Sequence, residues 1–279
     1  MAERKLITYD DDILITPEIG RWSEEKYTLL KYFVDIFSTG MKQKMNKRVF
    51  IDLFAGSGKA KFRGTNTIVG SSPFIALSVN DPFDKYIFCE KDINKLEALK
   101  ERTREYFPNL NTVFIQGDCN SITNEIISEI PTGKKILSFC FVDPFNIGID
   151  FETIKQLSTN RAMDFLILLA LGMDANRNRE LYSSLETDRI DKFLGMRDWR
   201  EKQDEDLEIN NNFRRFLMRM YSSQMEKIGY LPDSLVKMEE VKHGKLNLYH
   251  LAFFSKHKLG YKFWEQARKY GTNRLSLDF

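Results

Sequence analysis

The chain has 279 residues, 42% hydrophobic, 29% charged and 13% aromatic, the composition of a globular protein built as one large domain or a domain with additions. Its formal charge of +2 is close to neutral and argues neither for nor against a polyanion partner, so any nucleic-acid contact must come from a local patch. Three cysteines, Cys89, Cys119 and Cys140, show no Cys-x-x-Cys spacing, which excludes a disulfide framework and a zinc site and predicts a reducing, cytoplasmic location.

No apolar stretch reaches membrane-spanning length, and Met1–Lys5 leads into no apolar segment, so neither a membrane span nor a signal peptide is expected. Residues 1–48 read as a helical preface. Ser23 predicts an N-cap, with Glu24 and Glu25 in the first turn and Trp22 placed to staple Tyr27. Leu29, Leu30, Phe33, Ile36 and Phe37 share one helical face, and Gly40 predicts the stop.

Residues 49–175 then alternate between strand and helix. Strands are expected at Val49–Phe54, Tyr86–Cys89, Thr112–Gln116, Ile136–Val142 and Asp164–Leu171. Between them, helices are expected at Phe74–Val79 behind Ser72-Pro73, at Asn94–Phe107, at Ile122–Ile130 and from Asp150 to Leu157. Residues 176–233 turn charged and long-chained and read as a helical insertion, with helices near 179–185, 187–193 and 210–228. Residues 234–279 read as a returning hairpin about His243-Gly244-Lys245 and a terminal helix over Tyr261–Tyr270. The fold class is α/β: a mostly parallel seven-stranded sheet with helices on both faces, a C-terminal antiparallel hairpin and a helical insertion.

The chemistry concentrates at strand ends. Asp52, Phe54, Ala55, Gly56 and Gly58 close the first strand; two glycines there let the backbone turn sharply and approach a ligand. Glu90 with Lys91, Asp118 with Cys119, and Asp143 end later strands. A full Gly-x-Gly-x-x-Gly is absent, since Lys61 holds the third position, and Leu53 stands where a phosphate loop needs its first glycine. The ordered set resembles the Rossmann-like S-adenosylmethionine-dependent methyltransferases. The resemblance implies that Glu90 holds the ribose diol, that Asp118 accepts from the adenine amine, that Phe88 to Lys91 flank the adenine, and that Asp52 with the 56–58 turn meets the methionine end.

Asp143-Pro144-Phe145-Asn146 resembles the Asp/Asn-Pro-Pro-Tyr/Phe motif of methyltransferases that act on base amines, with the second proline missing. It implies that Asp143 and the Pro144 carbonyl orient an exocyclic amine and that Phe145 stacks on an extruded base. Cytosine-carbon methyltransferases need a Pro-Cys here, and Cys140 lies inside the strand, which disfavours them. Lys59, Lys61 and Arg63 in a basic loop, with Arg214 and Arg215, are candidate contacts to DNA or RNA phosphates; a solvated loop is the alternative. His243, His250 and His257 have no metal spacing.

Across nearly its whole length the chain resembles the three-Cys-motif partner proteins. The likeness runs through Trp22-Ser23-Glu24-Glu25-Lys26, Phe50–Gly56, Gly70-Ser71-Ser72-Pro73, Phe141–Phe145, Arg177-Asn178, Tyr249-His250-Leu251 and Ser255-Lys256-His257. It implies a bacterial protein and a partner carrying three cysteines, of iron–sulfur or radical type. Two functions are therefore expected: methyl transfer to a base amine, or a methyltransferase-fold scaffold for that partner. The oligomeric state is left open.

Overall fold

A computed structural model describes residues 6–175, 178, 182, 187–203, 212–232, 239–243 and 246–272. The chain divides into two compact units, Met1–Phe141 with Lys262–Phe279, and Val142–Tyr261. This division falls at the end of the fourth expected strand.

In the first unit the elements run β1 Thr8–Tyr9, β2 Glu18–Ile19, α1 Ser23–Met41, β3 Lys47–Asp52, β4 Lys59–Phe62, β5 Ile68–Gly70, α2 Ser72–Leu77, β6 Lys85–Glu90, α3 Ile93–Tyr106, β7 Thr112–Gln116, α4 Thr123–Glu129 and β8 Ile136–Val142. Four strands pair in parallel in the order β8-β3-β6-β7. Val49, Phe50 and Ile51 are fully buried, as a parallel strand covered on both faces requires. Helix α1 lays Phe33 and Phe37 against Phe139 of β8, with ring centroids 4.9 and 5.6 Å apart, and Trp264 meets Phe33 at 5.8 Å.

Two details of the preface are corrected. Ser23 is the first helical residue; Trp22 takes the cap position and makes no side-chain cap bond. Gly40 lies inside α1, and a Cβ there would come 2.6 Å from Phe263 Cζ, so packing selects it. The preface also is not purely helical. Its β1 and β2 join β4 and β5 in a second sheet, order β1-β5-β4-β2, so the expected basic loop at 59–70 is a hairpin.

In the second unit follow α5 Phe151–Ser158, β9 Ala162–Leu169, a π-helical turn Leu171–Ala175, α6 Arg189–Leu194, α7 Phe213–Lys227, β10 Glu239–His243, β11 Leu246–Phe254 and α8 Lys258–Thr272, which runs on into the first unit's residues. Strands β9, β11 and β10 are antiparallel neighbours, with Phe254 opposite Phe165. The hairpin β10–β11 is the expected one. The expected helix near 179–185 lies outside the described residues apart from Tyr182, as do residues 234–238 and the Gly244-Lys245 turn.

Aromatic rings fill this unit: Phe193 and Phe151 meet Tyr221 at 4.9 and 5.7 Å. Trp199 is fully buried; its indole donates to Asp191 at 2.6 Å, and the Arg200 guanidinium lies 4.4 Å over the ring. Asp164 is buried on β9. Burial pushes its carboxyl up to about 7, against the opposing effects of the Ser255 hydroxyl and the Lys256 ammonium. The architecture is α/β with a mostly parallel sheet. Among the described residues no helix is long and apolar enough to cross a membrane.

Candidate cofactor site

The site is built where β3 stops. After Asp52 the chain turns, held by Leu53 N–H to Phe141 O at 3.1 Å and Ala55 N–H to Cys89 O at 2.9 Å. Gly56 and Gly58 have φ of +65° and +84°, a region glycine enters without a Cβ clash. The two glycines differ in what they do. A Cβ on Gly56 would meet nothing within 4 Å, whereas one on Gly58 would lie 2.9 Å from both Leu99 Cδ1 and Phe74 Cε1. Gly56 therefore leaves space above the turn, and Gly58 lets α2 and α3 pack close beneath it.

Three of the predicted acids come together at the carboxyl ends of the adjacent strands β3, β6 and β7. Glu90 is oriented on both oxygens: Oε2 accepts from Gly56 N–H at 2.8 Å and Oε1 from Asp92 N–H at 2.9 Å. A carboxylate has about four lone-pair sites, so each oxygen keeps a place for a further donor. Asp52 is fully buried beneath the turn, and its Oδ1 accepts from Phe54 N–H at 3.1 Å. Asp118 accepts from Asn120 N–H at 3.1 Å and meets the ammonium of Lys91 at 3.1 Å.

The Phe88 ring, expected beside the adenine, is turned into the core. It is fully buried and packs on Phe114 and Tyr86, with centroids 5.7 and 6.1 Å away. In a strand covered on both faces every side chain meets core, so a strand-end position does not imply a ligand-facing ring. Cys89, Cys119 and Cys140 are all buried and unlinked. Burial, followed by neighbouring groups that include Asp52, raises the thiols of Cys89 and Cys140 far above the ordinary range, which makes them inert walls. Among the described residues no group of His, Cys, Asp and Glu could hold a metal ion.

Lys59 is the clearest correction. It is 1% exposed, and its ammonium donates to Asp12 Oδ2 at 2.8 Å, the Asp10 carbonyl at 3.1 Å and the Tyr106 hydroxyl at 3.3 Å. It presents no charge to a polyanion. Lys61 is half-buried on β4; Arg63 is exposed, 3.9 Å from Glu18.

Sequence reasoning missed Arg102. It is fully buried on α3 and grips Asp12 through Nε at 2.8 Å and Nη2 at 2.6 Å. The signal was present: Arg102 follows Leu99 by three residues and Ala98 by four, on the buried stripe of α3.

In the second unit, Phe145 is 87% exposed, while Pro144 before it is buried and Asp143 half-buried. Asn146 folds back, its Oδ1 accepting from Arg189 Nη2 at 3.1 Å. A Cβ on Gly148 would lie 2.4 Å from that oxygen, so glycine makes room for the amide. Arg215 is exposed and Arg214 half-buried on α7.

No protein-family model and no curated relative matches the chain. Solved structures similar to it include Trm1 from Pyrococcus horikoshii with S-adenosyl-L-methionine, at 10% identity and a TM-score of 0.48, over 94% of this chain and 63% of that one. This chain thus spans less than two thirds of that protein. M. jannaschii TYW2 in complex with AdoMet gives 12% identity and 0.41 over 92% and 89%. A Legionella pneumophila protein gives 10% and 0.48 over 88% and 92%.

Proposed function

We propose that the chain is an S-adenosylmethionine-dependent methyltransferase acting on an exocyclic base amine of DNA or RNA. The observation that carries the cofactor part is Glu90, a strand-end carboxylate pre-aimed by two backbone amides beside a glycine turn with open space above Gly56. The donor set suits a cationic nucleoside: Glu90 takes the ribose diol with two charge-assisted hydrogen bonds, the buried Asp52 carboxylate favours positive charge above the turn, and Asp118, turned by Lys91, borders the adenine end. When bound, the cofactor supplies a methyl group already activated on sulfonium, so the protein's task is orientation.

For the acceptor, Asp143 accepts from the amine and exposed Phe145 offers a face for an unstacked base. Its ring stands in solvent, which a packing role would not require. Lys61, Arg63, Arg214 and Arg215 supply phosphate contacts in this reading.

Titration calorimetry of the full chain with S-adenosylmethionine tests the first part. Glu90→Ala should weaken binding by about 10–100-fold, the worth of a charged hydrogen-bond pair; absence of binding to the wild-type chain would sink the proposal. Labelled methyl transfer to total DNA, RNA and protein, with and without a three-cysteine partner, tests the second. Asp143→Ala should keep cofactor affinity and lose transfer. Label in protein alone would retire the nucleic-acid acceptor in favour of the partner-linked role.

A further inference from the structure

Between β1 and β2 the chain forms a strap, residues 10–16. Local turns contribute, with Ile13 N–H on Asp11 Oδ1 at 3.1 Å and Leu14 N–H on Asp12 Oδ1 at 3.3 Å, yet Ile13, β-branched and 99% exposed, has φ +61°, a conformation such residues avoid. A buried guanidinium ties it to the rest of the unit. Arg102 takes both oxygens of Asp12 side-on, its Nη2 also donates to Thr16 Oγ1 at 2.8 Å and Leu14 O at 3.2 Å, and its Nη1 reaches Ile15 O at 3.1 Å.

The same Nη1 donates to the carbonyl of Ser57 at 2.7 Å, the residue between the two glycines of the turn. Lys59, one residue beyond the turn, adds a second buried cation on Asp12 Oδ2, and its ammonium lies 4.8 Å from the Tyr106 ring centroid. One planar fork therefore ties strap and turn together. A lysine, a point charge on a flexible stem, could not reproduce that fork.

We propose that Arg102 and Asp12 are positioning residues for cofactor binding: the strap, locked onto Arg102 by Asp12, sets the position of the Ser57 carbonyl and with it the shape of the Gly56–Gly58 turn. This rests on the cofactor reading above. Glu90 grips the same turn through Gly56 N–H, so Glu90 fixes the 55–56 peptide unit through its amide and Arg102 the 57–58 unit through its carbonyl, with one unit between them.

The test uses the full chain and four variants, Arg102→Ala, Arg102→Lys, Asp12→Asn and Arg48→Ala. Arg48 is the structural control, a buried arginine of the same unit bound to Ser38 O at 2.8 Å and Pro82 O at 2.7 Å, away from the turn. S-Adenosylmethionine affinity is read by calorimetry beside thermal stability. Arg102→Ala, Arg102→Lys and Asp12→Asn should each lose about tenfold or more in affinity. Arg48→Ala, comparably destabilised, should lose little, and ethylguanidinium should restore Arg102→Ala but not Arg48→Ala. If Arg102→Ala does not fold, Asp12→Asn carries the test.

Equal affinity loss in the Arg102 and Arg48 variants, or none in either, would overturn the proposal. If the wild-type chain does not bind S-adenosylmethionine, the cofactor reading fails by itself, and the strap is judged by amide exchange at Gly56 to Gly58. Faster exchange in Asp12→Asn than in Arg48→Ala supports the coupling; equal exchange rejects it.

Discussion

Gly56 and Gly58 share a backbone conformation and differ in surroundings, so alanine separates shape from access. Gly58→Ala combines a left-handed φ with contacts at 2.9 Å to Leu99 and Phe74 and should cost about 2–4 kcal/mol in urea unfolding. Gly56→Ala carries only the conformational cost of about 1–2 kcal/mol, yet should weaken the cofactor, because its Cβ occupies the open side. A Gly56→Ala chain with wild-type affinity would place the ligand elsewhere. Asp164 gives a pH signature. Its folded carboxyl titrates at about 7, above its unfolded value near 3.9, so the folded state holds the proton more tightly. Stability should fall as pH rises from about 4 to about 7, by up to about 4 kcal/mol, and level off above. Asp164→Asn should flatten that slope; an unchanged slope would assign it to another group.

Strand ends and buried strands were legible because they carry their signal locally. The Val49–Phe54 run and the Tyr86–Cys89 run locate β3 and β6 to within two residues, and Glu90 follows from its place at a strand end. The second sheet was not legible. Strands β1 and β2 have two residues each, too few to show a period. In β4, Lys59-Ala60-Lys61-Phe62 reads as basic because the carboxylate that makes a buried Lys59 tolerable lies 47 residues away in sequence. The strap that supplies it also has a pH prediction. Hydrogen bonding from Arg102, then from Lys59, holds the Asp12 carboxyl well below the ordinary carboxylate range. A depressed folded pKa gives stability that is complete above the unfolded value and is lost as pH falls through the folded one. The stability gap between wild type and Asp12→Asn should therefore stay constant above pH of about 4 and shrink only below it. A gap that closes near neutrality would mean that Asp12 is not ionised in the clamp.

For the molecule as a whole, all three cysteines are buried and free, so thiol chemistry reports unfolding. The native chain should leave Cys89, Cys119 and Cys140 unmodified by Ellman's reagent over minutes and release all three in denaturant, at a rate set by opening. Rapid native reaction at any of them would show local opening at the floor of the turn. The two units can be watched separately as well. Trp264 meets Phe33 edge-on in the first unit, and Trp199 sits in the second with its indole tied to a carboxylate and capped by a guanidinium. Each is a fluorophore in a different environment. Replacing the half-buried Trp22 and one of the two in turn would give single-emitter chains whose melting curves, overlaid, show whether the halves come apart in one event or two.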